Sequence, residues 1–115
     1  MCIRDSYGTS DIGFNFSPVQ LGGNAWEDTK KLWDQSPIKY VANIETPLLI
    51  LHAEADYRCP MEQAEQLFTA VKELGKTDCK LVRFPNEGHE LSRSGRPDRR
   101  IKRLEEIVNW FEKCV

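Results

Sequence analysis

The sequence predicts an α/β domain of parallel strands with flanking helices. Three observations carry that prediction. "LLILH" at 48–52 and "CKLVRF" at 79–84 are apolar runs of strand length, each is followed by a segment of helical periodicity, and only a short turn separates the first helix from the second strand. Two strand–helix units in succession call for parallel strands, a right-handed crossover and helices on the sheet faces.

Residues 1–35 read as an irregular lead-in. Gly8, Gly13, Gly22 and Gly23 fall between isolated aromatics. A short helix is expected over "WEDTKKLW", where Trp26 and Trp33 lie seven apart and share a face. Phe14, Phe16, Trp26 and Trp33 all require a surface to cover. The opening "MCIRDS" resembles translated adapter sequence, which leaves open whether these first residues are native and whether Met1 is a natural start.

The domain proper is placed at 36–115. "SPIKYVANIETP" approaches the first strand, whose four consecutive apolar residues suit an interior parallel strand covered on both faces. Pro60 fits a first helical turn, where a missing N–H costs nothing. Ala64, Leu67, Phe68, Val71 and Leu74 then recur at helical spacing, and Gly75 fits the position just past the helix end. After "CKLVRF" comes a long polar loop, "PNEGHELSRSGRP", and then a helix over "DRRIKRLEEIVNWFEKC". Its buried side is expected to carry Ile101, Leu104, Ile107, Val108 and Phe111.

Composition excludes several classes of function. The chain has 115 residues, 40% of them hydrophobic, and a formal charge of −2, which gives no global reason to expect nucleic acid or an anionic membrane as partner. It has no apolar run of membrane-spanning length and no signal-peptide pattern, so a cytoplasmic location is expected. Cys2, Cys59, Cys79 and Cys114 are scattered without paired metal-site spacing and are expected to be free thiols.

Parallel strands bring both following loops to one edge of the sheet, where chemistry collects in open α/β folds. Asp56 follows the first strand and His89 the second. A carboxylate that accepts a hydrogen bond from one imidazole nitrogen fixes the tautomer and leaves the other nitrogen free to take and return a proton. In hydrolase sheets the order along the chain is serine, acid, histidine. The last two appear here in that order. None of Ser6, Ser10, Ser17, Ser36, Ser92 and Ser94 stands in the G-x-S-x-G turn that exposes a nucleophile, so the chain alone is not expected to catalyse acyl transfer.

"SPIKYVANIETPLLILHAEADYRCPMEQAEQLFTAVKELG" followed by "LVRFPNEGHELSRSGRPDRRIKRLEEIVNWF" resembles the C-terminal end of the α/β-hydrolase domain of the prolyl oligopeptidase family. It is most similar to the acylaminoacyl-peptidase or dipeptidyl-peptidase-like branch. "EADYRCP" and "GHELSRSG", in order and each before a helix, carry the resemblance, while "DIGFNFSPVQLGGNAWEDTKKLWDQ" matches the lead-in more loosely. The resemblance implies a serine peptidase in which Asp56 is the triad acid and His89 the base. It implies a peptide or acyl-peptide substrate, no cofactor, and upstream hydrolase and β-propeller segments as partners of this part. Ala53 stands where many members have glycine, and Gly88 is expected to favour a tight approach into His89.

Other residues invite other readings. His52, at the strand end, is expected to contact buried backbone, and Glu54 to order its loop. Tyr57 and Arg58 are left to support the pocket or tie the loop down, and Cys59 belongs to the helix start. His52, Glu54, Asp56 and His89 offer metal-ligand types without a fixed motif, so no metal is expected. Arg93, Arg96, Arg99, Arg100, Lys102 and Arg103 place six positive groups in eleven residues. Glu105, Glu106 and Glu112 follow, so a solvated helix face or interdomain contacts are expected rather than a nucleic-acid site. The rival to the peptidase reading is a non-catalytic α/β remnant that binds a protein through its open sheet edge.

Overall fold

A computed structural model of the chain describes residues 22–23 and 26–114. Its elements in order are helix α1 (Thr29–Gln35), a 3₁₀ segment (Pro37–Asn43), strand β1 (Leu48–Ala53), helix α2 (Met61–Leu74), strand β2 (Cys79–Phe84), the single turn α3 (Leu91–Ser94) and helix α4 (Pro97–Cys114). The strands pair in parallel, with Leu48 opposite Cys79 and Ala53 opposite Phe84.

The two-residue period of a strand divides the core between the faces of this sheet. Leu48, Ile50 and Cys79 meet Ala64, Leu67 and Val71 of α2 on one face, with Leu81 and Phe68 partly buried beside them. Ala53 and Phe84 meet Leu91 of α3 on the other, flanked by Leu51 and Val82. The approach to β1, for which no element was expected, winds as a 3₁₀ helix. Ile38, Val41 and Ile44 recur every three residues, the repeat of that helix, and so lie together against the first core. Lys76 Nζ anchors the segment to the end of α2 through the carbonyl of Ala42 at 2.7 Å.

Helix α2 forms as its sequence dictates, with Pro60 as the residue before its first turn. Gly75 takes a left-handed φ of 62° and returns its N–H to the carbonyl of Val71 at 3.2 Å. Leu74, expected on the apolar face, is exposed at the last turn of the helix. Helix α1 starts three residues later than "WEDTKKLW" suggests, and Trp26 and Trp33 are both exposed. It is joined to the 3₁₀ segment by Asp34, which pairs with Lys30 at 2.7 Å and with Lys39, and whose carbonyl accepts from Tyr40 Oη at 2.7 Å.

Helix α4 departs most from expectation. Ile101, Leu104, Val108 and Phe111 are exposed, and Ile107 is only half-buried. The inward face is instead the stripe of Arg99, Arg103, Glu106 and Trp110, of which Trp110 is buried. Among the described residues the sheet has two strands and so a narrow apolar surface to offer α4, and polar pairs accompany Trp110 on the inward side. Lys80 Nζ meets Glu106 Oε2 at 2.6 Å, and Lys113 Nζ meets Asp78 Oδ2 at 2.9 Å while lying 5.2 Å from the Trp110 ring centroid.

Within the basic run, Arg93 pairs with Glu90, Arg96 and Arg99 with Asp98, and Lys102 with Glu105 and Glu106. Cys59 and Cys79 are buried free thiols and Cys114 an exposed one, and burial pushes the Cys79 thiol pKa up. Among the described residues no helix is long and apolar enough to cross a membrane. The expectations for Met1, Cys2, Phe14 and Phe16 lie outside the described residues.

Candidate active site

Parallel pairing delivers both loops to the carboxyl edge of the sheet, and backbone hydrogen bonds then lace them together. Glu54 N donates to Phe84 O at 3.0 Å and Ala55 N to Glu87 O at 2.9 Å. Asp56 N closes a tight turn onto Ala53 O at 3.2 Å. In the second loop Asn86 takes the left-handed conformation, with φ 60°, and Leu91 N donates to Gly88 O at 3.1 Å.

These turns bring Asp56 and His89, 33 residues apart in sequence, into contact: His89 Nδ1 lies 2.9 Å from Asp56 Oδ2. The carboxylate can only accept, so Nδ1 carries the proton and Nε2 presents a lone pair. The other oxygen, Oδ1, accepts from the backbone N–H of Arg58 at 3.0 Å and of Cys59 at 2.8 Å. Three donors thus hold a carboxylate that is 7% exposed, and burial of an ionised carboxylate requires such partners. The His89 side chain is 23% exposed and remains reachable. Both residues line a cavity of about 140 Å³ with Leu51, His52, Ser92 and Arg103.

The neighbours divide into supports and bystanders. His52 is buried, with Nε2 2.7 Å from the carbonyl oxygen of Cys59, the backbone contact expected of it. Glu54 receives Arg83 Nε at 2.8 Å, and Arg83 reaches on to Glu65 at 2.7 Å, which links the Glu54 side chain to β2 and α2. Tyr57 stands 92% exposed, and the backbone N–H of Arg58 holds Asp56. Gly88 needs no special space: a Cβ there would meet Ala55 O at an ordinary 3.6 Å. Close packing in this loop instead requires a glycine at Gly95, where a Cβ would fall 2.5 Å from Leu91 O.

The ligand-type residues do not gather as the sequence grouped them. Among the described residues, donor atoms of Asp56, Cys59 and His89 lie within 4.8 Å of one another, and His52 and Glu54 stand outside the group. Both Asp56 oxygens already accept hydrogen bonds. Sequence reasoning missed Glu87, which is buried although it sits in a loop that reads as solvated. Its burial comes from the turn and carries no periodic signal.

The profile of the prolyl oligopeptidase family matches residues 3–115. This chain belongs to that family. Among curated proteins of the family it is 62% identical over 107 residues to the uncharacterized peptidase YuxL of Bacillus subtilis, a match covering 93% of this chain and 16% of the relative. It is 33% identical over 87 residues to the acylamino-acid-releasing enzyme of Arabidopsis thaliana, covering 76% of this chain and 11% of that one. Among solved structures, the acylaminoacyl peptidase of Pyrococcus horikoshii superposes with a TM-score of 0.83 at 32% identity, covering 91% of this chain and 17% of its own. The fold is accordingly that of a C-terminal segment of an α/β-hydrolase domain, and the chain spans between 11% and 17% of the length of these family members.

Proposed function

We propose that this chain supplies the acid and the base of a serine-type peptidase centre, within a longer polypeptide that provides the nucleophile. The observation that supports this most is the 2.9 Å contact between His89 Nδ1 and Asp56 Oδ2, with the carboxylate cradled by two backbone N–H groups. In this reading His89 Nε2 takes the proton of a serine hydroxyl as that oxygen attacks a carbonyl carbon, and returns it to the departing amine. Asp56 holds the productive tautomer and stabilises the imidazolium that forms, without itself taking the proton. The substrate is a peptide or acyl-peptide, in keeping with the Arabidopsis acylamino-acid-releasing enzyme and the Pyrococcus acylaminoacyl peptidase that the chain resembles. Hydrolase and propeller segments upstream would complete the site, and no cofactor enters the scheme.

The test is His89→Ala in a protein extended upstream to a G-x-S-x-G turn, assayed with chromogenic aminoacyl and acylaminoacyl substrates. Near-complete loss of hydrolysis is expected, and undiminished hydrolysis rules the assignment out. The 115-residue chain by itself is expected to be inert toward the same substrates.

A further inference from the structure

Glu87 holds a buried carboxylate, 5% exposed, two residues before His89, and the proton transfers described above make no use of it. Its contacts reach in three directions. The backbone carbonyl accepts from Ala55 N at 2.9 Å, in the loop that carries Asp56. The side-chain oxygen Oε1 accepts from Arg96 N at 3.2 Å, at the entrance to α4. Oε2 lies against Gly95, so closely that a Cβ there would sit 2.9 Å from it. A carboxylate at this point also satisfies one of the N–H groups that a helix start leaves without a partner, at the end of the helix dipole that favours negative charge.

We propose that Glu87 is a positioning residue for His89: its carboxylate clasps residues 87–96 into a closed loop and so sets the placement of the imidazole against Asp56. His89 lies inside that loop. Within it Leu91 N bonds Gly88 O at 3.1 Å, Ser94 N bonds Glu90 O at 2.9 Å and Gly95 N bonds Leu91 O at 3.2 Å, a tight turn whose two ends Glu87 joins. One residue thereby fixes the imidazole's backbone to both the Asp56 loop and α4. The consequence is geometric. A displacement that breaks the Nδ1–H bond to Asp56 releases the tautomer, and the proton can then sit on Nε2, where no base function is left.

The proposal rests on the acid–base reading of Asp56 and His89, and its test is read without hydrolysis. In the ¹⁵N-labelled full chain, at a pH where the imidazole is neutral, nitrogen shifts give the ratio of Nδ1–H to Nε2–H tautomers of His89. Glu87→Asp keeps the charge but withdraws the carboxylate by one methylene, and Glu87→Gln keeps the reach and an acceptor oxygen. Glu87→Asp and Glu87→Ala are expected to shift the ratio toward Nε2–H by about fivefold, the scale of one hydrogen bond, while Glu87→Gln holds the parent ratio. Val71→Ala, in the opposite core, lowers stability without touching the clasp and is expected to leave the ratio unchanged. An unchanged ratio in Glu87→Asp, or an equal shift in Val71→Ala, overturns the proposal. If Glu87→Ala does not fold, Glu87→Asp decides. A failed peptidase reading would instead appear as hydrolysis surviving His89→Ala in the longer protein, with the tautomer ratios here unaffected.

Discussion

The imidazole of His52 and the carbonyl of Cys59 form a buried pair, 2.7 Å apart, across the base of the Asp56 loop. The same residue that accepts from His52 through its C=O donates through its N–H to Asp56 Oδ1 at 2.8 Å. A strand-end histidine therefore steadies the acid's cradle at one remove. Replacing His52 by Phe leaves the carbonyl buried without its partner, at a cost of about 1–3 kcal/mol. Urea unfolding of the chain measures this, and amide exchange at Cys59 should accelerate in step. A midpoint equal to that of the parent would mean that the carbonyl finds water instead.

Asp56→Asn tests the direction of the central hydrogen bond. The amide oxygen can keep the two backbone donors, which turns the NH₂ group toward His89 Nδ1 and forces the proton onto Nε2. In the extended protein kcat should fall by about 10⁴, the effect of an acid-to-amide change in a serine–histidine–aspartate triad, with KM little altered. A fall of less than about tenfold would show that His89 does not depend on this carboxylate for its tautomer.

Rotation of α4 predicts an inverted pattern of sensitivity along one helix. Trp110→Ala should destabilise the chain by about 3–5 kcal/mol, whereas Leu104→Ala and Val108→Ala should stay within about 0.5 kcal/mol. Denaturation midpoints of the three variants settle it. Were Leu104→Ala the costlier change, the exposed stripe would have to be covered in solution.

Asp34 gives a pH dependence with a defined sign. Hydrogen bonds from Lys30 first and Lys39 second lower its pKa to about 2. A carboxyl whose folded pKa lies below its unfolded one, about 3.9, contributes stability that is fully present above the unfolded value and is lost as pH falls through about 2. Carboxyl ¹³C titration should place the Asp34 midpoint near 2, and it should rise in Lys30→Ala. High salt should narrow the difference, since the group is open to solvent. An Asp34 midpoint near the usual carboxylate value would mean that these lysines do not engage it in solution.

Much of the fold was legible because it follows from periodicity. Strands β1 and β2 and helix α2 form where "LLILH", "CKLVRF" and the Ala64–Leu67–Val71 repeat place them, since each buries its apolar positions against another of the three. Asp56 and His89 were legible because parallel strands allow only one edge for both loops. The face of α4 was not, for an amphipathic pattern states that a helix has an apolar side and is silent on what covers it. The inward side is instead the one that buries Trp110 and sets Glu106 against Lys80 and Lys113 against Asp78, partners distant in sequence. The 3₁₀ segment escaped notice because an i, i+3 repeat over seven residues is too short to stand out, and Glu87 because a glutamate in a polar loop reads as solvated.

Asp56 takes its orientation at Oδ1 from main-chain atoms, the N–H groups of residues 58 and 59. Every residue except proline offers that group. As donors to Asp56, residues 58 and 59 are replaceable by anything but proline, while the Cys59 side chain, 1% exposed, is constrained separately by its packing. For holding the acid, the constraint therefore falls on the length and shape of the turn between Asp56 and Pro60.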